Sequence, residues 1–400
     1  MRTMQNLWPE FENEQLLSIS AGRAQSSLSS RRRPTEQIVL SSLRDWLLHD
    51  YIVPYCRSLA ATRIFRRCYW IDGLGGSPIQ KPITSAAQLL AEESKPIALH
   101  GIILEAKGSS KRKEVNAGDS ITIPQESGVV HASWPETASA LLQAIDQSAA
   151  IFLLNPFAGS PPFSSEDLAP LYSRTAPTEL CLFISHRQVE SRLLPFLRTS
   201  EGTSAFTALL HSDRWKTFLT EDSEIEHTVD RLIDAFLLSV QQQHFLSLQR
   251  IALLMQSGPA LVETAPYTLI FATRRQDSLQ SMNDAVCIYR RRLHEQSHRG
   301  VLTEEWFATR QRERLAEEMQ QLYQRILQEG RNQRPRRWPN LRQQVLIANF
   351  GQFTLYDYDQ VICKLLQNGE VSCEWHLKHI EPHGSAGPRI PGNEDTLLWK

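Results

Sequence analysis

Residues Arg67–Asp72 read Arg-Cys-Tyr-Trp-Ile-Asp and run directly into Gly73-Leu74-Gly75-Gly76-Ser77-Pro78. A short apolar run that ends in an acid and breaks into a glycine-rich turn constrains the fold. Open α/β sheets form a ligand crevice where such a strand meets its turn. Glycine supplies the positive φ of such a turn and lets a ligand approach the backbone with no Cβ between them. The spacing is G-x-G-G, not the G-x-G-x-x-G of dinucleotide-binding turns. By itself the turn therefore fits a nucleotide-like ligand or a plain end of strand. Leu99–Glu105 is a second such run, ending in an acid 33 residues after Asp72. In nucleotide-binding βαβ units an acid at the tip of the next strand accepts hydrogen bonds from ribose hydroxyls. Glu105 can take that part, although acids are also common where a strand meets water.

Apolar runs near 67–72, 99–104, 128–132, 150–154 and 179–184 alternate with helical spacing near 83–92, 135–146, 165–172 and 187–197. This rhythm predicts an α/β fold, with a Rossmann-like, mostly parallel sheet covered on both faces. A domain over 35–290 is expected to hold it. Ile38, Leu43, Trp46, Leu47, Ile52 and Tyr55 predict an opening helix bent at Pro54. Ala106–Glu126, with Lys107, Lys111, Arg112 and Lys113 among small polar residues, reads as an exposed insertion. The chain then turns helical, with an insert at about 203–258, before a sixth strand, Tyr267–Thr273. Residues 1–34 read as a flexible basic arm whose Arg31-Arg32-Arg33 triplet is a solvated segment or a phosphate contact.

A chain of 400 residues suits two or three domains. Its net charge of −1 gives no global attraction to nucleic acid or to a membrane surface. No run approaches the ~20 apolar residues of a membrane span, and Met1–Glu14 is too polar for a signal peptide. Six scattered cysteines without a C-x-x-C pair fit reduced thiols and a cytoplasmic location.

Charge is distributed unevenly. Arg290–Arg342 carries 13 arginines against 7 glutamates, with no lysine or aspartate. Such a stretch is either a charged helix surface or an electrostatic footprint for a phosphate backbone. An Arg-rich helical linker is expected over 291–338, with a hinge from Gly330 to Pro339. Residues 339–376 then follow the outline of a winged-helix-like module: helix, the turn Phe350-Gly351-Gln352, a second helix capped by Thr354, and a strand at Glu370–Trp375. The second helix carries Asp357 and Asp359 against the single base Lys364. That balance disfavours groove insertion and favours a protein contact. Residues 377–400 read as a tail. Cys373, His376, His379 and His383 do not make the closed four-ligand pattern of a zinc site, so no metal is expected.

Taken in order, Asp72–Pro78, Glu105, Asn155-Pro156-Phe157-Ala158-Gly159 and Tyr267–Arg275 resemble the three-Cys-motif partner (TcmP) family, most closely in Leu269-Ile-Phe-Ala-Thr-Arg274. The resemblance covers roughly residues 35 to 375. The family is itself similar to class I S-adenosylmethionine-dependent methyltransferases and often carries a winged-helix-like tail. The resemblance implies a seven-stranded sheet and S-adenosylmethionine as cofactor, bound by Asp72, Gly73, Gly75, Gly76 and Glu105. It also implies a companion three-Cys-motif protein as partner. This chain departs from the pattern in Gly73-Leu74-Gly75-Gly76 for Phe-Ala-Gly and in Asn155 for Asp. His131, Ser133 and Trp134 stand where such folds place an acid for the adenine amino group.

Methyl transfer asks a protein to bind the cofactor, orient a nucleophile in line and take up or release a proton. Amino-group methyltransferases acting on bases carry an Asp/Asn/Ser-Pro-Pro-aromatic motif after the fourth strand. Asn155, Pro156 and Phe157 hold three of its elements, with Phe157 as a ring to stack on a base. Equally, Asn155-Pro156 reads as a strand-ending turn with Phe157 in the core. Two functions follow. One is an S-adenosylmethionine-dependent methyltransferase acting on nucleic acid through the Arg290–Arg342 region. The other is a catalytically inactive, methyltransferase-like partner of a companion enzyme.

Overall fold

The computed structural model describes residues 36–75, 80–105, 123–124, 126–159, 161–220, 225–243, 245, 247–258, 261–298, 303–376 and 389–400. The expected basic arm, Gly76 and most of the 106–126 insertion lie outside these. The chain divides into two compact units. One comprises Met1–Ser257 with Val262–Ser281, the other Gly258–Leu261 with Met282–Lys400.

Among the described residues, the first unit opens with α1 (Glu36–Trp46), a π-helical turn (Leu47–Ile52) and α2 (Val53–Ala61). The bend expected at Pro54 is thus taken up one turn earlier, by the wider π hydrogen bonding, which leaves Pro54 in the first turn of α2, where its missing N–H costs nothing. There follow β1 (Arg67–Asp72), α3 (Gln80–Ala91), β2 (Ala98–Leu104), β3 (Gly128–Val130), α4 (Trp134–Ile145), β4 (Ala149–Leu154), α5 (Ser165–Ser173) and β5 (Thr178–Ser185). Capping boxes fix two of these helix starts, Ser133 with Glu136 on α4 and Ser164 with Asp167 on α5. A broken helical run, α6 (His186–Gln188), a π turn (Val189–Leu193) and α7 (Leu194–Leu197), leads into α8 (Ser200–Leu210), α9 (Thr217–Thr220) and α10 (Ile225–Gln241). β6 (Ser247–Gly258) and β7 (Leu261–Thr273) complete the sheet.

The seven strands lie in the order β3-β2-β1-β4-β5-β7-β6. The neighbouring pairs from β3 to β5 are all parallel. β7 runs antiparallel to β5, from Leu180 opposite Ala272 to Ser185 opposite Tyr267. The α/β, mostly parallel sheet expected from the alternation is present. Six strands were expected, and β6 is the seventh. It falls inside the expected helical insert, which ends at Gln241, because no Gly or Pro separates the two periodicities there. Every residue of β4 and β5 is buried, as both-face coverage requires. On one face Ile71, Phe152, Leu182 and Ile270 pack with Leu141 of α4, Leu168 of α5 and Phe236 of α10. On the other, the Tyr51 ring meets Phe271 edge-on.

α11 (Gln276–His298) begins in the first unit and ends in the second, which continues with α12 (Glu304–Gln333), α13 (Trp338–Ala348) and α14 (Leu355–Gln367). The hinge expected from Gly330 is helix up to Gln333; the chain turns at Arg334, which takes a left-handed conformation with φ 47°. The turn between α13 and α14 is anchored by Asn283, whose Oδ1 accepts from Gly351 N at 2.8 Å while its Nδ2 donates to Phe353 O at 2.8 Å. β8 (Val371–Glu374) pairs antiparallel with β9 (Thr396–Trp399). The expected tail therefore contains the strand that completes this small sheet. Among the described residues no helix is long and apolar enough to cross a membrane.

Candidate functional site

In the first unit, the carboxyl ends of β3, β2, β1 and β4 lie side by side because these strands are parallel and in register. Asp72 stands opposite Ile103 of β2 and Leu153 of β4, and Leu104 stands opposite Val130 of β3. The strand order reverses at β1, where open sheets place their ligand crevice. Glu105 emerges on the β2 side of β1 and Asn155 on the β4 side.

Asp72 is 1% exposed. Its carboxylate is held by Arg44 of α1, Nε to Oδ2 at 2.7 Å and Nη2 to Oδ1 at 3.0 Å, and also accepts from Leu74 N at 3.0 Å. The Arg44 Nη2 further donates to Gly75 O at 2.5 Å. Asp72 therefore faces the turn and Arg44. Arg44 was not among the expected site residues, although it stands in the apolar stripe of Leu40, Leu47 and Tyr51 at helical spacing, an unusual place for a cation.

The two described glycines play different parts. A Cβ on Gly73 would lie 2.6 Å from Leu154 Cδ2, so Gly73 is required by packing of β1 against β4. Gly75 has φ +68° and nothing within 4 Å of where its Cβ would stand. A side chain there would meet open space, and such bare backbone is what a close-lying ligand uses.

Glu105 continues the β2–β3 ladder, its N donating to Val130 O at 2.9 Å. Its carboxylate is 36% exposed, with Oε2 3.5 Å from His131 Nδ1. The expected acid at the tip of β2 is thus accessible. His131 is 71% exposed at the tip of β3, beside it. The other two residues of that region turn to structural duties. Ser133 caps α4, and the buried Trp134 donates its Nε1 to Asp167 O at 2.9 Å.

Asn155 is 5% exposed and committed twice: Oδ1 accepts from Phe157 N at 3.0 Å, and Nδ2 donates to Gln188 Oε1 at 2.8 Å. Pro156 O accepts from Phe163 N at 2.9 Å, closing the loop. Phe157 is 1% exposed and its ring packs edge-on against Phe236, centroids 5.2 Å apart. Its ring faces the core, so stacking on a base is not open to it here.

Beyond the tip of β5, His186 Nε2 lies 2.8 Å from Thr268 Oγ1 and burial lowers the ring's pKa. At the opposite, amino end of the sheet, Glu179 is fully buried between Tyr55 Oη at 2.9 Å and Ser278 Oγ at 2.7 Å. Burial raises its pKa to about 7. A concavity at that end is lined by Ser139, Leu142, Asp146, Pro170 and Arg174. Arg174 there serves as a staple, donating to Asp146 O at 2.9 Å and Ser148 O at 2.7 Å. This concavity lies away from the strand tips and holds none of the expected site residues.

In the second unit, most of the described arginines of the Arg290–Arg342 stretch are engaged internally. Arg290 donates to Gly351 O, Arg325 to Asn349, and Arg291, Arg310, Arg314, Arg331 and Arg342 form ion pairs. Arg334, Arg336 and Arg337 are exposed. Among the described residues no group of three His, Cys, Asp or Glu gathers to hold a metal; His379 and His383 lie outside them. No protein-family model matches this chain, and no curated protein matches it either.

Proposed function

We propose that the strand-tip crevice of the first unit binds an adenosyl cofactor of the S-adenosylmethionine type, and that the protein is a methyltransferase-type, three-Cys-motif-partner-like protein acting on nucleic acid. The observation that carries this reading is the sheet itself. The resemblance implies a seven-stranded sheet, and the seven strands here, in the order β3-β2-β1-β4-β5-β7-β6 with β7 antiparallel to β5, support it. The dinucleotide-binding order, 3-2-1-4-5-6, lacks that reversed strand.

The residues at the crevice fit the cofactor's chemistry. The exposed Glu105 carboxylate is an acceptor for ribose hydroxyls, at the tip of the strand next to β1. Gly75 leaves space for a close approach to the backbone. Asp72 acts through Arg44, holding the turn's shape while staying out of contact. When bound, the cofactor supplies the activated methyl group; the chain supplies binding and orientation.

A second reading, a cofactor-binding partner without transfer activity, is favoured by Asn155 and Phe157. Both amide atoms of Asn155 are occupied within the protein, and Phe157 is in the core. Calorimetric titration with S-adenosylmethionine and S-adenosylhomocysteine tests binding. Transfer of a labelled methyl group to duplex DNA or RNA then separates the two readings: incorporation supports the enzyme, and binding without incorporation supports the partner.

A further inference from the structure

Arg44 has more donors than the fold uses. Its guanidinium meets Asp72 side-on, through Nε to Oδ2 at 2.7 Å and Nη2 to Oδ1 at 3.0 Å. Nη2 also donates to Gly75 O at 2.5 Å. Nη1 is left over: among the described residues no hydrogen bond uses it. Nor is it one of the polar atoms sealed from solvent without a partner, as Trp70 Nε1 and Tyr358 Oη are. Nη1 therefore keeps an opening to solvent, although Arg44 as a whole is only 4% exposed. A guanidinium is a planar fork, so the end that sends an Nη2–H to Gly75 carries an Nη1–H beside it. The free donor thus opens next to Gly75, where a Cβ would have nothing within 4 Å.

We propose that Arg44 Nη1 is the contact for a carboxylate carried on the 5′ side of the nucleoside that the crevice binds. The inference rests on the cofactor reading above and names the residue that selects among adenosyl ligands. Neighbouring strands stand about 4.8 Å apart, so a ribose held at Glu105 lies one strand from the β1 turn. Its 5′ substituent extends over that turn when the base lies on the β3 side, where His131 is 71% exposed. An S-adenosyl ligand carries its carboxylate on that substituent. Two features favour a carboxylate as the anion. Asp72 holds Arg44 from the other edge of the fork, so the free donor is preorganised and loses little rotamer freedom on binding. Asp72 also limits the charge the site tolerates. It lies across the same guanidinium, and a phosphate brings nearly twice the negative charge of a carboxylate.

The test titrates the full chain calorimetrically with S-adenosylhomocysteine, with its decarboxylated analogue and with adenosine 5′-monophosphate. The parent should bind S-adenosylhomocysteine about 10- to 100-fold more tightly than the decarboxylated analogue, the measure of one charge-assisted hydrogen bond. Arg44→Lys keeps a cation for Asp72 but offers a single nitrogen in place of the fork. In that variant the affinity for S-adenosylhomocysteine should fall towards that of the analogue, while the analogue binds as before. Circular dichroism shows whether the variant is folded; if it is not, the ratio measured on the parent decides alone. The proposal is overturned if the parent binds the two adenosyl ligands equally, or if folded Arg44→Lys keeps the parent's ratio. It is also overturned if adenosine 5′-monophosphate binds as tightly as S-adenosylhomocysteine. Equal binding of the two adenosyl ligands sinks this proposal alone and leaves the cofactor reading standing. A folded parent chain that binds none of the three sinks the cofactor reading, and this proposal with it.

Discussion

Arg44 and Asp72 form a buried, two-point ion pair that ties α1 to the glycine turn at the end of β1, with Nε–Oδ2 at 2.7 Å and Nη2–Oδ1 at 3.0 Å. Both residues are under 5% exposed. Removing one partner strands the other charge in a low-dielectric interior, which costs about 3–5 kcal/mol. Arg44→Met is therefore expected to destabilise the first unit by that amount in urea unfolding, and to disorder the turn that carries Gly75. Asp72→Leu in the same background should restore part of the loss, because the buried charge is gone. A loss below about 1 kcal/mol for Arg44→Met would show that the pair does not shape the turn.

Glu179 predicts a pH effect whose sign follows from its burial. The folded chain raises its carboxyl from 4.5 to about 7, so it binds the proton more tightly than the unfolded chain does. The stability this group contributes is fully present below about pH 4.5 and is lost as pH rises through about 7. Glu179→Gln keeps the hydrogen-bonding shape beside Tyr55 and Ser278 without the titration. Its stability should fall less steeply between pH 5 and 7.5 than the parent's, by on the order of a few kcal/mol across the window. Parallel curves for the two proteins would refute the assignment.

Gly330 and Trp399 make a close contact in the second unit. A Cβ on Gly330 would stand 2.2 Å from Trp399 Cζ3, while Trp399 Nε1 donates to Pro335 O at 3.0 Å. Gly330→Ala should cost about 1–3 kcal/mol through overpacking. In a Trp399→Ala background the same change should stabilise by up to about 1 kcal/mol, since alanine is the better helix former. Equal effects in the two backgrounds would mean that β9 does not pack on α12.

Much of the sheet was legible in the sequence. β1 spans the expected 67–72, and β2, β4 and β5 each begin one residue earlier than expected, because mostly apolar runs bounded by polar turns leave little freedom. β6 was not legible: its buried Ile251 and Leu253 alternate, yet the chain passes from α10 to β6 through Gln241–Gln243 without a breaker residue. At the crevice, the tips of β1, β2 and β4 were found by sequence, but the partners of their side chains were not. Arg44 lies 28 residues before Asp72 and Gln188 lies 33 after Asn155, and such pairings exist only once the sheet is assembled. The acids of α14 illustrate the same limit. Composition counts Asp357 and Asp359, but it does not say that they pair with Arg291 and Arg342.

The most direct test of the account is calorimetric titration of S-adenosylmethionine into the full chain and into Glu105→Ala. The Glu105 carboxylate is 36% exposed and its ion-pair partner among the described residues, His131, is itself exposed, so the variant is expected to fold normally. Saturable binding by the parent is expected, with a loss of about 1–3 kcal/mol in the variant from charge-assisted hydrogen bonds to the ribose. Binding of equal strength by both would remove Glu105 from the site, and no binding by a folded parent chain would contradict the cofactor assignment itself.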